Sequence, residues 1–284
     1  MYDMNSEAFM KKTSLLAAIL MLAMMGCKDN PSIPEERQLV LQAYLYADRP
    51  VTEITVMQSR PVSSGEASNE MISGATVVLQ KGGTNYTLTP SATVGKYFYA
   101  GNDLHVFSGD QFTIAVNANG MSASASTIVP DKPSGLVSNL ATMNFIHDSV
   151  TMRAGDVRIR VTSTDSMVVS WLNTGEKPHY VVIESIDSTR QLLRPDSLGF
   201  GERSFRFVTE PTTTASYRVN QSAIQYTGRH KIILYRVNQE YVNLYTSRQQ
   251  DSRSLNEPLT NVRNGMGIFT AFASDSLFIN VALQ

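Results

Sequence analysis

Apolar and polar residues alternate along much of the chain. Between Leu39 and Tyr46, Leu39, Leu41, Ala43 and Leu45 share one face, and Val40, Gln42, Tyr44 and Tyr46 share the other. A period of two predicts a half-buried β-strand. A second strand is predicted over residues 51–56, across the turn Ala47-Asp48-Arg49-Pro50. Residues 60–74, rich in Ser, Gly and Glu, read as a loop. Beyond them, 75–80 and 86–89 flank Lys81-Gly82-Gly83, 96–100 is another short strand, and 112–118 and 121–127 flank Asn119-Gly120. Asn-Gly between alternating runs marks a tight hairpin, because a type I′ turn needs positive φ at both central residues. Short strands at this spacing predict a sandwich.

Residues 130–135, with Pro130, Pro133 and Gly135, punctuate the chain. A second set of strands follows at 157–161, 167–172, 180–185, 205–208, 231–237 and 276–281. One helix is predicted over 239–248, where Tyr241, Leu244, Tyr245 and Arg248 fall on one stripe. The second set resembles a fibronectin type III domain, with Trp171 on an early strand and Tyr226 shortly before a late one. The expected fold is all-β, built from two β-sandwich domains and one short helix. The N-terminal domain, 38–130, is expected to be immunoglobulin/transthyretin-like, and the C-terminal domain, 136–284, fibronectin type III-like.

The N-terminus breaks the alternation. Lys11 and Lys12 precede an unbroken apolar run over 15–25, which ends in Gly26-Cys27. A basic start, a short apolar run and a small residue at the end make a secretory signal. The run is too short to span a bilayer, which takes about 20 apolar residues. Residues 1–26 resemble a bacterial lipoprotein signal peptide, with Met10 a more typical start than Met1. The resemblance implies a diacylglyceryl group on the Cys27 sulfur, cleavage before Cys27 and acylation of the new amine. Two or more acyl chains hold a protein stably on a membrane. Residues 27–37, with Pro31 and Pro34, read as a tether, ten residues of which reach about 35 Å when extended. Lys28-Asp29 resembles the short signal that sends Bacteroidota lipoproteins to the cell surface; the expected location is the outer membrane, lipid-anchored, and the two residues leave open whether the protein faces the exterior or the periplasm.

Composition removes several function classes. Cys27 is the one cysteine, which excludes an intramolecular disulfide and cysteine-based metal or redox centres. With 24 Lys+Arg against 25 Asp+Glu, no basic excess points to nucleic acid. His105, His147, His179 and His230 have no metal-ligand spacing, and no nucleophile elbow occurs. Gly265-Met266-Gly267-Ile268-Phe269 lacks the strand–turn–helix context of a phosphate loop and reads as a bend that uses glycine at positive φ. The expectation is a protein that is not an enzyme and carries no cofactor or metal. Twelve tyrosines against one tryptophan offer another chemistry. Tyr44 and Tyr46 lie opposite the regular apolar face, which makes them candidates for a contact surface, although strand tyrosines more often fill half-buried sheet faces. Residues 63–73 are a candidate contact loop.

Residues 256–271 carry a Pro258…Asn261-Val262…Gly265-x-Gly267-x-Phe269 pattern before the last strand. With the opening strand Leu39–Tyr46, the turn Pro50-Val51-Thr52 and the strand from Gly74 through Val77, the chain resembles Bacteroidota outer-membrane lipoproteins of the family called domain of unknown function 4249. Asn264, Gly265, Gly267 and Phe269 would form a structural C-terminal segment. The resemblance implies a non-enzymatic accessory or substrate-capture component that works with a TonB-dependent outer-membrane transporter in nutrient uptake. The alternative is a surface glycan-binding or adhesion lipoprotein without a fixed transporter partner. The ligand, whether small molecule, glycan or peptide, is not named by the sequence.

Overall fold

The computed structural model describes residues 37–52, 54–60, 69–151, 157–194, 205–248 and 260–284. The signal peptide, Cys27, nearly all of the tether, residues 61–68 of the Ser-rich loop and 256–259 of the C-terminal segment lie outside the described residues. The alternating stretches become strands. β1 (Leu39–Tyr46), β2 (Ile54–Gln58), β3 (Glu70–Met71), β4 (Thr76–Lys81), β5 (Thr84–Thr87), β6 (Thr89–Pro90), β7 (Lys96–Phe98), β8 (Gln111–Ala118) and β9 (Met121–Ile128) precede the proline-rich punctuation. After it come β10 (Ser134–Ser138), β11 (Thr142–Thr151), β12 (Val157–Thr162), β13 (Val168–Leu172), β14 (His179–Ser185), β15 (Arg206–Val208), β16 (Ser216–Arg218) and β17 (Gly228–Val237). The helix α1 (Gln239–Arg248) and a last strand, β18 (Gly265–Leu283), complete the chain. Asn119 and Gly120 have φ of 52° and 75°, the pair of positive values that the β8–β9 hairpin requires.

Three sheets make two cores. The large sheet runs β15-β14-β17-β18-β1-β2-β7-β6, with β11 and β3 also attached and β12 paired to β11. The inner residues of β1 (Leu39, Leu41, Ala43 and Leu45) pack with Val77, Leu79, Phe112, Ile114 and Val116 of the β5-β4-β8-β9 sheet. Farther along the large sheet, Val181, Ile183, Ile232, Leu234, Ile279 and Val281 pack with Met167 and with Val169 and Trp171 of the β10-β13-β16 sheet. The fold is therefore mostly β, with one short helix and two cores between sheets, and Trp171 lies in the second.

The two cores are joined by β18. Its first half pairs in parallel with β1, from Leu39 opposite Gly265 to Tyr46 opposite Phe272. Its second half runs antiparallel to β17, from Val237 opposite Phe272 to Gly228 opposite Val281, and its end pairs in parallel with β11. Phe269 and Ala271 consequently belong to the first core, although they lie in the stretch 136–284 assigned to the second domain. A strand expected over 276–281 starts eleven residues earlier, at Gly265. Its first half is buried on both faces, so it shows no alternation to read.

The motif Gly265-x-Gly267 belongs to this seam. A Cβ on Gly267, whose φ is +104°, would lie 1.9 Å from the Leu41 carbonyl oxygen, and one on Gly265 would lie 2.7 Å from that of Leu39. The glycines thus let β1 and β18 approach. The opposite edge of this half-strand is sealed by the preceding residues. The Asn261 side chain donates to the Phe269 carbonyl (2.7 Å) and accepts from its N–H (3.0 Å), as a neighbouring strand would. Thr260 donates to the Gly267 carbonyl, and Arg263 bridges to Ser124 of β9. Backbone groups that burial would otherwise leave unpaired are satisfied in this way.

Two buried histidines make stability depend on pH. His179 and His230 are each 2% exposed, with Nδ1 2.8 Å from the Lys177 carbonyl and 3.0 Å from the Gly228 carbonyl. Burial pulls both below the ordinary imidazole range. Above about pH 6.5 folded and unfolded chains hold both rings neutral. Below it the unfolded chain takes up protons that the folded one refuses, so stability falls with pH from about 6.5 downward. Thermal unfolding between pH 7.5 and 5 is expected to show this loss, and His179→Gln and His230→Gln to flatten it. A midpoint that rises on acidification would contradict the assignment.

Candidate functional site

The outer face of β1 leads to a cluster of aromatic rings. Tyr44 and Tyr46 alternate with buried Ala43 and Leu45, so they point to the other side of the large sheet. Register brings partners to that side. Phe272 on β18 lies opposite Tyr46 and Val237, and Tyr180 on β14 lies opposite Tyr235 on β17. The helix α1 follows β17 after Asn238, whose side chain donates to Thr127 Oγ1 and to the Ile128 carbonyl of β9. Glu240 Oε1 accepts from Thr127 Oγ1 and from Thr270 Oγ1 of β18. These bonds fix the first turn of α1 against the sheets, and Tyr241 packs against the cluster.

Phe272, 2% exposed, is the hub. Five tyrosine rings surround it: Tyr46 stacks at 5.1 Å, Tyr241 meets it edge-on at 5.1 Å, and Tyr44, Tyr180 and Tyr235 lie at 6.0–6.2 Å. Tyr180 also stacks on Tyr235 at 4.9 Å. Above this floor is a recess of about 290 Å³, lined by Tyr44, Tyr46, Tyr180, Arg206, Val208, Tyr241, Leu244, Tyr245 and Phe272. Tyr241, Leu244 and Tyr245 are three of the four residues of the stripe expected on the helix. Val208, 45% exposed, lies at the mouth.

The recess is electrostatically simple. Burial, with the neighbouring phenols of Tyr235, Tyr44 and Tyr241 adding to it, pushes the Tyr46 hydroxyl up to about 12. Burial likewise raises Tyr180 well above the ordinary phenol value. Both remain protonated at neutral pH, so they act as hydrogen-bonding hydroxyls and not as phenolate nucleophiles or bases. Among the described lining residues Arg206 is the one that carries a formal charge. Its guanidinium favours the ionised form of both phenols, but burial outweighs it. Arg49 lies over the Tyr46 ring at 5.8 Å. The arrangement suits non-covalent recognition of a ligand with an apolar face and polar edges.

Of the residues singled out from sequence, Tyr44 and Tyr46 enter the recess. Asn264, at φ 56°, leads into β18, Gly265 and Gly267 hold the β1–β18 seam, and Phe269 fills the first core on the face opposite Phe272. Sequence reasoning missed Tyr180, Arg206, Val208 and Phe272, and it placed Tyr241, Leu244 and Tyr245 on a helical stripe without naming them as site residues. Tyr180 opens an apolar run whose two faces look alike, and Arg206 reaches the site only because β15 pairs with β14. Among the described residues no three His, Cys, Asp or Glu side chains converge as metal ligands, and no helix is long and apolar enough to cross a membrane.

Fold and site together define a mostly-β, sandwich-built protein with an aromatic recess on the face of its shared sheet. The chain belongs to the family described as Domain of unknown function (DUF4249), which matches residues 29–277. No curated protein matches it. Among solved structures it is similar to a fragment comprising titin domains I67–I69, at 12% identity over 87% of this chain, with a TM-score of 0.20. The chain spans 65% of that fragment's length. A second titin fragment, A168–169, is 6% identical over 88% of this chain and 97% of its own length, with a TM-score of 0.19. Likenesses this slight carry no conclusion about topology or function.

Proposed function

We propose that this protein is a non-enzymatic, lipid-anchored component of the outer membrane that captures a small ligand and serves a TonB-dependent transporter in nutrient uptake. The observation that carries the capture role is the recess over Phe272, where neutral tyrosine hydroxyls and aromatic faces converge beside Arg206. Its described walls offer contact and hydrogen bonds, and among the described residues they bring together neither a paired acid and base nor an activated nucleophile. Support for the location is the apolar run ending at Cys27, and support for the transporter is the family resemblance. On this reading the lipid on Cys27 holds the two cores within a short tether of the membrane, where a captured ligand can pass to a channel.

The test is a mild-detergent pull-down of the tagged, full-length protein from outer membranes, with mass spectrometry of what comes with it. Recovery of a TonB-dependent transporter in comparable amount is the expected result. Cys27→Ala is expected to release the protein from the membrane fraction and lose the transporter. Recovery of the wild-type protein alone overturns the stable-partner part and favours a glycan-binding or adhesion role. Retention of Cys27→Ala on the membrane overturns the anchor.

A further inference from the structure

We infer that the corner of the large sheet around Phe278 rests on the anionic lipid headgroups of the leaflet that holds the anchor, as a second membrane contact. The inference rests on the anchored reading proposed above and goes beyond it. It begins on the side of the sheet that turns away from the second core. On β17, Arg229 and Lys231 alternate with buried His230 and Ile232, so they point outward. Phe278 of β18 lies opposite Lys231, and Ile186, just after β14, donates its N–H to the Arg229 carbonyl. The Arg229 guanidinium lies over the Phe278 ring at 4.0 Å. At the adjoining rim, Arg190 lies over the Phe205 ring at 5.6 Å. Asp187 ties both arginines to one corner. Its carbonyl accepts from Arg190 Nη1 (3.2 Å) and its carboxylate from the Arg229 N–H (3.4 Å).

Apolar exposure and positive charge coincide at this corner. Phe205, Phe278 and Ile186 are 50%, 48% and 41% exposed, and large apolar side chains clustered in water mark a surface that meets a partner. Among the described residues no carboxylate comes within ion-pair distance of Arg190, Arg229 or Lys231. Two acids are close. Asp187 is turned to its neighbours, taking the Thr189 N–H and hydroxyl as well as the Arg229 N–H. Glu184 stands opposite Lys231, which leaves the two arginines in excess. Cations interleaved with rings and aliphatic chains match the interfacial zone of a bilayer. There the charged heads meet phosphates while rings and side-chain stems reach the acyl boundary.

The tether allows this contact at any tilt. Leu39, the first residue of β1, lies opposite Gly265. Phe278 is thirteen residues farther along β18, about 43 Å away at most. Any plane through the corner therefore passes within about that distance of Leu39. The twelve residues from Cys27 to Leu39 reach about 43 Å when extended. Phe272 precedes Phe278 by six residues on the same face, which brings the recess within about 20 Å of the headgroups.

The experiment uses the full-length protein, purified with its lipid and reconstituted on vesicles of phosphatidylcholine alone or mixed with phosphatidylglycerol. Flotation reports attachment. Amine-reactive labelling, read by mass spectrometry, reports contact at Lys231, with the exposed Lys132 and Lys177 as references. The protein is expected to float with both vesicles. Lys231 is expected to be labelled about tenfold more slowly on the mixed vesicles, since each cation near an anionic surface contributes about fivefold. Lys132 and Lys177 are expected to be unchanged. Raising salt from about 0.1 M to about 1 M, which shortens the screening length from about 10 Å to about 3 Å, is expected to restore the labelling. Arg190→Gln with Arg229→Gln is expected to remove most of the protection, and Phe278→Ala part of it. Unchanged unfolding midpoints will show that these variants are folded.

Equal Lys231 labelling on the two vesicles overturns the inference and, with flotation intact, leaves the anchor standing. Flotation with the mixed vesicles alone, with Lys231 protected, supports the contact and overturns the anchor. Flotation with neither overturns both. Protection that Lys132 and Lys177 share, or that survives the double arginine variant, places the contact elsewhere and overturns the inference. Protection by dissolved polyglutamate but not by vesicles assigns the corner to an acidic protein and overturns the membrane contact.

Discussion

Gly267→Ala is expected to lower stability by about 4 kcal/mol, a large part of the margin of a folded protein. Two costs combine at this position. The backbone is at φ +104°, and a Cβ would lie 1.9 Å from the Leu41 carbonyl oxygen and 2.9 Å from its carbon. Holding a side chain in a sparsely allowed conformation costs about 1–3 kcal/mol. Overpacking against a fixed neighbour costs about 1–3 more, and here the neighbour is backbone already paired across the β1–β18 seam. Against a total stability of about 5–15 kcal/mol, the loss is severe. Gly74 is the control: its φ is also positive at +76°, but nothing lies within 4 Å of a Cβ there, so Gly74→Ala carries the conformational cost alone, about 1–2 kcal/mol. Urea unfolding followed by Trp171 fluorescence measures both. Trp171 sits in the second core while Gly267 holds the first, so a large shift in its midpoint also reports that β18 makes the two cores unfold together. Equal small shifts at Gly267 and Gly74 would sink the close-approach argument. A first core that melts without moving the Trp171 transition would sink the coupling.

What was legible from sequence was local. The face of β1 that carries Leu39, Leu41, Ala43 and Leu45 was readable because the period of two is unbroken there, and the β8–β9 turn because Asn119-Gly120 answers a specific dihedral demand. The helix was readable from the spacing of Tyr241, Leu244 and Tyr245. Long-range pairing was not. Nothing in a local pattern says that residues 265–272 return to lie parallel to residues 39–46, or that a strand nineteen residues long serves two cores. The boundary expected at 130–135 separates two sets of strands in sequence, while Phe269 and Ala271, far beyond it, fill the first core. The site shows the same limit. Tyr44 and Tyr46 could be singled out by their face, but Tyr180, Arg206 and Phe272 join them through the register of β14, β15 and β18, which only the folded sheet supplies. The Gly-x-Gly-x-Phe motif lies within a strand, outside the strand–turn–helix setting of a phosphate loop. Its reading as a bend was incomplete: Gly267 does take positive φ, yet it lies within a strand, and the close approach of a second backbone is what demands it.

Phe272→Ala is expected to be the most damaging change in the aromatic cluster, at about 3–5 kcal/mol. The ring is 2% exposed and lies where β18 passes from β1 to β17, with Tyr46 opposite on one side and Val237 on the other. Its removal would leave five tyrosine rings around a void, and each ring pair contributes about 0.5–1.5 kcal/mol beyond its buried area. These pair terms share one ring and are not additive, so the cavity cost sets the scale. Phe272→Leu keeps most of the volume and is expected to cost about 1.5 kcal/mol. The two variants separate stability from recognition. Ala lowers both, because the floor of the recess goes with the fold around it. Leu leaves the fold standing but removes the planar surface on which Tyr46 and Tyr241 are oriented, so the near-ultraviolet dichroism of the tyrosines and the ligand affinity should fall together while the unfolding midpoint moves little. Phe278, on the same strand but 48% exposed, is the comparison, and Phe278→Ala, which removes the ring under the Arg229 guanidinium, is expected to cost under about 1 kcal/mol. If Phe272→Ala costs no more than Phe278→Ala, the hub is not holding the cluster, and the recess must be organised instead by the helix, through the bonds of Asn238 and Glu240 to β9 and β18.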